Sequence, residues 1–218
     1  VVMTGEYAND FFGASVSSAD DVNGDGYADV IVGAYGYFIN VGRAYIFFGG
    51  AAMNNNADIT MTGDPNNYLG RSVSSAGDVN GDGYADVIAG VYGYSSSTGR
   101  AQIYFGGIAM DNIADVTMTG ETTSYFGYSV SSAGDVNGDG YADVIVGAYV
   151  YSSSTGRAYI YFGGAAMDNI ADVTMTGEAT GDFFGISVSS AGDVNGDGFS
   201  DVIAGAERYS SITGRTKI

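Results

Sequence analysis

The chain has no cysteine, no histidine and no tryptophan, a single proline, and 7 basic residues against 25 acidic ones. Without Cys or His there is no zinc finger, no imidazole metal site and no haem ligation through those residues. Ser-His and Cys-His nucleophile pairs are excluded on the same ground. No disulfide framework exists, so cysteine usage does not mark a redox compartment. The shortage of basic side chains leaves a formal charge of −18, which repels phosphate backbones and anionic membranes; no nucleic-acid partner is expected. No apolar run approaches the ~18 residues that span a bilayer, and no membrane insertion is expected. A basic segment followed by an apolar stretch is also missing, so no signal peptide is expected within these residues, as would hold for a processed precursor.

What is present is glycine (36), tyrosine (18) and a hydrophobic fraction of 45% over 218 residues, enough for a buried core and contrary to disorder. The chain is also self-similar. SVSSAGDVNGDGYADVI at 72–88 recurs letter for letter at 129–145, with close versions from Ser15 to Ile31 and from Ser187 to Ile203. Acidic loops begin at Asp21, Asp78, Asp135 and Asp193, so the repeat is 57, 57 and 58 residues long. A period above 50, rich in β-formers and glycine, indicates propeller blades.

One unit reads from Phe126 to Glu178. The alternating YSVSSAG is a first strand, DVIVGAY a second strand buried on both faces, RAYIYFGG a third and DVTMTGE a fourth. The expected fold is therefore all-β: a propeller of four-stranded antiparallel blades, with helix content close to nil. The repeats fall at roughly 7–63, 64–120, 121–177 and 178–218 plus 1–6, as one domain over 1–218. Val1–Glu6 (VVMTGE) matches Val116–Glu121, a fourth strand, and the sequence stops inside a third strand at Gly214–Ile218. The N-terminal strand is accordingly expected to complete the last blade and close the ring, removing exposed sheet edges.

Each acidic loop reads D-x-N-x-D-G-x-x-D. The oxygen ligands it offers are Asp21, Asn23, Asp25 and Asp29; Asp78, Asn80, Asp82 and Asp86; Asp135, Asn137, Asp139 and Asp143; and Asp193, Asn195, Asp197 and Asp201. Tyr27, Tyr84, Tyr141 and Phe199 add a backbone carbonyl at position 7, and the glycine at position 6 permits the tight coil. An all-oxygen set with three carboxylates selects a hard cation, and a flexible loop favours Ca²⁺ over Mg²⁺; four sites are expected, one per repeat. These loops are not EF-hands, since position 12 holds Val32, Ala89, Val146 and Ala204 instead of Glu. Asp20, beside the first loop, adds charge there.

These loops follow Phe12-Gly13, Phe126-Gly127 and Phe184-Gly185 and precede Val32-Gly33-Ala34 and its counterparts. In that order and spacing the chain resembles the FG-GAP repeat of integrin α-subunit propellers. Repeat two has Leu69-Gly70, and the family's proline is replaced by Tyr35, Tyr92, Tyr149 and Glu207. The resemblance implies calcium on one face and a ligand on the other, a protein or a glycan. The opposite face carries Tyr37, Tyr94, Tyr151 and Tyr209, with the segments NDFFG, NNYLG, TSYFG and GDFFG. Tyrosines at matched positions either bind a partner or pack between blades.

The remaining features have plainer readings. Arg43, Arg100, Arg157 and Arg215 pair locally with carboxylates or carbonyls, Asp58, Asp115 and Asp172 are solvated caps, the serine runs 95–97 and 152–154 are loops, and Pro65 marks another. Three functions are weighed: an extracellular or cell-surface calcium-binding adhesion module, as protein binder or lectin; a subunit that self-associates into a filament or surface layer by strand exchange; and a glycosidase. With 12 of the 25 acids assigned to metal loops and no evident carboxylate pair among the rest, no enzyme is expected.

Overall fold

The computed structural model describes the chain from Val1 to Ile218, the side chains of Ser211 and Ile212 apart. It contains four antiparallel sheets in chain order. Blade one is β1 (Ser15–Asp20), β2 (Asp29–Ala34), β3 (Arg43–Phe47) and β4 (Ile59–Thr62). Blade two is β5 (Val73–Gly77), β6 (Asp86–Val91), β7 (Arg100–Tyr104) and β8 (Val116–Thr119). Blade three is β9 (Ser129–Gly134), β10 (Asp143–Ala148), β11 (Arg157–Tyr161) and β12 (Val173–Thr176). Blade four has three strands, β13 (Phe184–Gly192), β14 (Asp201–Ala206) and β15 (Arg215–Lys217). The all-β fold of propeller blades read from the sequence is the one found. The four-residue turns at 37–40, 94–97 and 151–154 pass through positive φ, so they are left-handed loop turns and not helix starts.

The core is built between blades, not within one, with the second strands β6 and β10 buried along their whole length. Ile31, Ile46 and Met61 of blade one pack on Val73, Val87, Ala89 and Tyr104 of blade two. Ile88, Ile103 and Met118 repeat this against Val130, Val144, Val146 and Tyr161 of blade three. Successive first strands lie side by side, β1 on β5, β5 on β9 and β9 on β13, with no comparable packing of β13 on β1. Each first strand ends in a bulge with a left-handed residue, Gly77, Gly134 and Gly192 with φ of 77°, 75° and 67°, and Asp20 with φ of 57°.

The signature glycines explain how closely the blades approach. A Cβ on Gly90 or Gly147 would collide with the carbonyl oxygen of Gly127 or Gly185 in the next blade. Gly127 N–H in turn donates to the Gly147 carbonyl at 3.0 Å. Phe126, Phe184 and Leu69, the residues before these glycines, are fully buried, so Leu69 fills the place of the family's Phe.

The expected closure does not occur. Val1–Glu6 is not paired with β15; Val1 and Val2 are 74% and 79% exposed. The segment lies on blade one: Met3 packs on the Val32, Tyr45 and Phe47 cluster, and Glu6 Oε1 accepts from the Tyr45 hydroxyl at 2.9 Å and pairs with Arg43 at 2.6 Å. Glu121 and Glu178 make the same contact with Arg157 and Arg215 of the blade that follows them. The side chains of a fourth strand are thus directed at the next blade, and Val1–Glu6 keeps that contact with blade one while the pairing with β15 is not made.

Candidate functional site

The four acidic loops lie at one end of the blades, between first and second strands, and fold alike. In the first, Asp21 Oδ1 accepts from the N–H of Gly24 at 2.8 Å and Asp25 at 3.1 Å, and Oδ2 from Gly26 at 2.9 Å. Asn23 Oδ1 accepts from Asp25 N–H, and Asp25 Oδ1 from Tyr27 N–H. Gly24 and Gly26 turn with φ of 76° and 87°, conformations that suit glycine. The same bonds recur around Asp78, Asp135 and Asp193.

The position-9 aspartates are the most enclosed members. Asp29, Asp86 and Asp143 are fully buried. Asp86 Oδ2 accepts from Val79 N–H and its Oδ1 from Gly106 N–H, both at 2.8 Å, which ties the loop to the turn after the third strand. Burial pushes the Asp86 carboxyl up to about 7 against these two donors, and the charges of Asp82 and Asp78 push the same way. Asp29 and Asp143 are raised for the same reasons, burial first. Among the described residues no three acidic side chains converge into one metal-enclosing group; the position-1 and position-5 oxygens are directed to groups of their own loop, and one oxygen of each buried position-9 aspartate to the turn after the third strand. Asp21 Oδ1 already accepts two N–H groups, whereas Asp21 Oδ2 and both oxygens of Asp29 accept one each and keep a lone pair for a cation.

Adjacent loops are joined to one another. Ala85 N–H donates to the Asp21 carbonyl at 3.2 Å, Ala142 to Asp78 at 3.0 Å and Ser200 to Asp135 at 2.9 Å. The rings of Tyr84, Tyr141 and Phe199 cover Gly24, Gly81 and Gly138 of the preceding loop, where a Cβ would strike them. This second role of position 7 was missed in the sequence, although an aromatic at 7 with glycine at 4 in every loop was its signal. Asp20 is turned from its loop toward hydroxyls, accepting from Ser75 of blade two at 2.6 Å and Ser18 at 3.1 Å.

At the opposite end, Tyr37, Tyr94, Tyr151 and Tyr209 each lie under the arginine that starts the next strand. The guanidinium carbons of Arg43, Arg100, Arg157 and Arg215 stand 3.7, 3.4, 3.6 and 3.7 Å from the ring centroids. The structure does not bring the four tyrosines together. It does join others into a band across blades two and three: Tyr68 stacks on Tyr92 at 4.9 Å, Tyr92 on Tyr125 at 5.7 Å, and Tyr128 packs on Tyr149 at 4.6 Å. Arg71 sits 4.6 Å from the Tyr128 ring and donates to its hydroxyl at 2.9 Å. Asp58, Asp115 and Asp172 are exposed, as read, but each also accepts a backbone N–H, from Phe48, Phe105 and Phe162, at 2.7–2.8 Å.

Blades built on a repeated acidic loop, with interlocking glycines between neighbours, define the class of protein. The FG-GAP repeat model matches residues 12–47, 69–104, 126–161 and 184–217, and the chain belongs to that family. It is similar to mouse (Mus musculus) integrin alpha-8, 33% identical over 167 residues, which is 71% of this chain and 15% of that protein. Mouse integrin alpha-IIb is 35% identical over 162 residues, 67% of this chain and 16% of that protein, and Xenopus laevis integrin alpha-5 is 34% identical over 152 residues, 64% and 14%. The matched part of the chain thus spans about 15% of the length of these relatives.

Proposed function

We propose that the chain is a calcium-binding, non-catalytic FG-GAP module that serves adhesion at the cell surface or outside the cell. One observation carries the reading: four loops of identical donor chemistry share one backbone fold, held by three N–H groups on the first carboxylate. Each loop offers only oxygen, from Asp21, Asn23, Asp25, the Tyr27 carbonyl and Asp29 or their counterparts, which fits Ca²⁺. Bound calcium would neutralise the clustered carboxylates, and four ions would reduce the charge from −18 to −10. The similarity to integrin α subunits supports a protein or glycan ligand on the face opposite the loops, where Tyr37, Tyr94, Tyr151 and Tyr209 lie. Among the described residues no helix is long and apolar enough to cross a membrane.

Thermal melts test the calcium assignment. With a dissociation constant on the order of 10⁻⁴ M and ~1 mM calcium, each site stabilises by about 1.4 kcal/mol. Four sites shift the melting temperature of a chain this size by about 10–20 °C. A melting temperature that is the same in calcium and in excess chelator removes the assignment.

The outer edge of β15 has no strand beside it, and this favours strand addition between copies, toward a filament or surface layer, as the second reading. Light scattering at high concentration decides it, because a strict monomer excludes it.

A further inference from the structure

Blade one departs from its siblings in the loop between its second and third strands. The backbone is shared: Phe38 and Ile39 have φ of 43° and 58°, Ser95 and Ser96 of 46° and 56°, and Ser152 and Ser153 of 48° and 59°. That left-handed turn disfavours bulky and, above all, β-branched residues. Blade one nevertheless carries Phe and Ile there and leaves them 69% and 81% exposed. Core burial does not account for an apolar pair that is both strained and exposed.

Phe38 and Ile39 form one wall of a cavity of about 400 Å³. The facing wall is the loop before β1, where Tyr7 and Phe11 are 63% and 52% exposed. The Phe11 ring is backed by Tyr35, stacked at 5.0 Å and 4°. Asn9 and Asn40 add amides; Asn40 Nδ2 donates to the Tyr68 hydroxyl at 3.1 Å, which leaves its Oδ1 free to accept. No basic side chain lines the cavity. Its one carboxylate, Asp10, is 5% exposed, with Oδ2 accepting from the N–H groups of Glu6 and Tyr7, both at 2.9 Å.

We propose that this cavity on blade one binds a neutral pyranose sugar. The rings of Tyr7, Phe11 and Phe38 pack against the C–H face of the sugar, and the amides of Asn9 and Asn40 take its hydroxyls. The volume lies within the range of small-ligand sites. A charged ligand finds no counter-charge here, and a net charge of −18 repels acidic sugars. The inference rests on the reading of the chain as a binding module and assigns that module a blade and a ligand class.

The test applies the calcium-loaded chain to a printed array of neutral glycans, sialylated glycans and apolar peptides. Neutral glycans are retained, and the F38S/I39S variant, which restores the Ser-Ser of blades two and three, loses at least tenfold. Its melting temperature still rises with calcium, as the native chain's does, showing an intact fold. A Tyr7→Ala variant gives a second loss on the facing wall. Retention of sialylated glycans or peptides alone, or undiminished retention by F38S/I39S, overturns the proposal. A blank array beside a normal calcium response overturns this ligand while leaving the calcium-binding reading standing; a blank calcium response beside neutral-glycan retention does the reverse.

Discussion

At the scale of single residues, small differences between near-identical repeats work as internal mutations. Glu6, Glu121 and Glu178 each reach the arginine of the following blade, but blade one supplies Asp64 at the matching position, one methylene shorter. Arg100 consequently bonds to the Tyr94 hydroxyl at 2.7 Å, and its Nε is buried without a partner. Asp64→Glu is expected to supply the missing ion pair and raise stability by about 0.2–1 kcal/mol, the scale of a partly exposed pair, measured by urea denaturation. The buried phenylalanines give a larger contrast. Phe126→Ala opens a cavity between blades two and three and costs about 3–5 kcal/mol, whereas Phe126→Leu, the residue that position 69 already uses, costs about 1.5 kcal/mol or less. Equal losses for the two would mean that Leu69 and Phe126 do not occupy equivalent places. The oxygen-bearing side chains of the acidic loops were legible one by one, because such residues at fixed spacing are a local pattern. The second partners of Asp86 were not, since Gly106 lies 20 residues away.

Among the elements, the glycine after each second-strand β-branched run is the most constrained position. The second strand passes the turn before the next blade's first strand with no room for a side chain, so Gly90→Ala forces the new methyl against the Gly127 carbonyl. Overpacking of a rigid backbone contact is expected to cost about 3 kcal/mol, with a matching fall in melting temperature. Gly83→Ala makes an instructive contrast: space is open there, yet φ is 91°, and its cost arises from backbone strain alone. Strand order followed from the sequence because the strands of each unit are separated by clear turn signals and joined by short connections. The fourth strand's allegiance did not, because the pattern VxMTGE shows which residues point inward and not which blade they meet.

For the molecule as a whole, the acidic loops are a chain of contacts as well as four separate proposed calcium sites. The carbonyls of Asp21, Asp78 and Asp135 each bond to the next loop, so an ion that stiffens one loop also supports its neighbour. Replacing Asp82 by Asn is expected to lower the calcium stoichiometry by one ion in calorimetric titration and to reduce the calcium-dependent gain in melting temperature by more than a quarter. A loss of one quarter would mean that the loops act independently. The sequence by itself determined the blades, their number in this chain, the position of every acidic loop and the second strand of each unit, buried on both faces in blades two and three. All of these are set by local periodicity and glycine placement, repeated in each unit. The tertiary structure alone decided that Val1–Glu6 lies on the first blade and not the last, that each matched tyrosine is covered by an arginine while other tyrosines form a band, and that one loop of blade one opens a cavity. Those outcomes depend on side chains brought together by the angle between neighbouring sheets, and no local pattern encodes that angle.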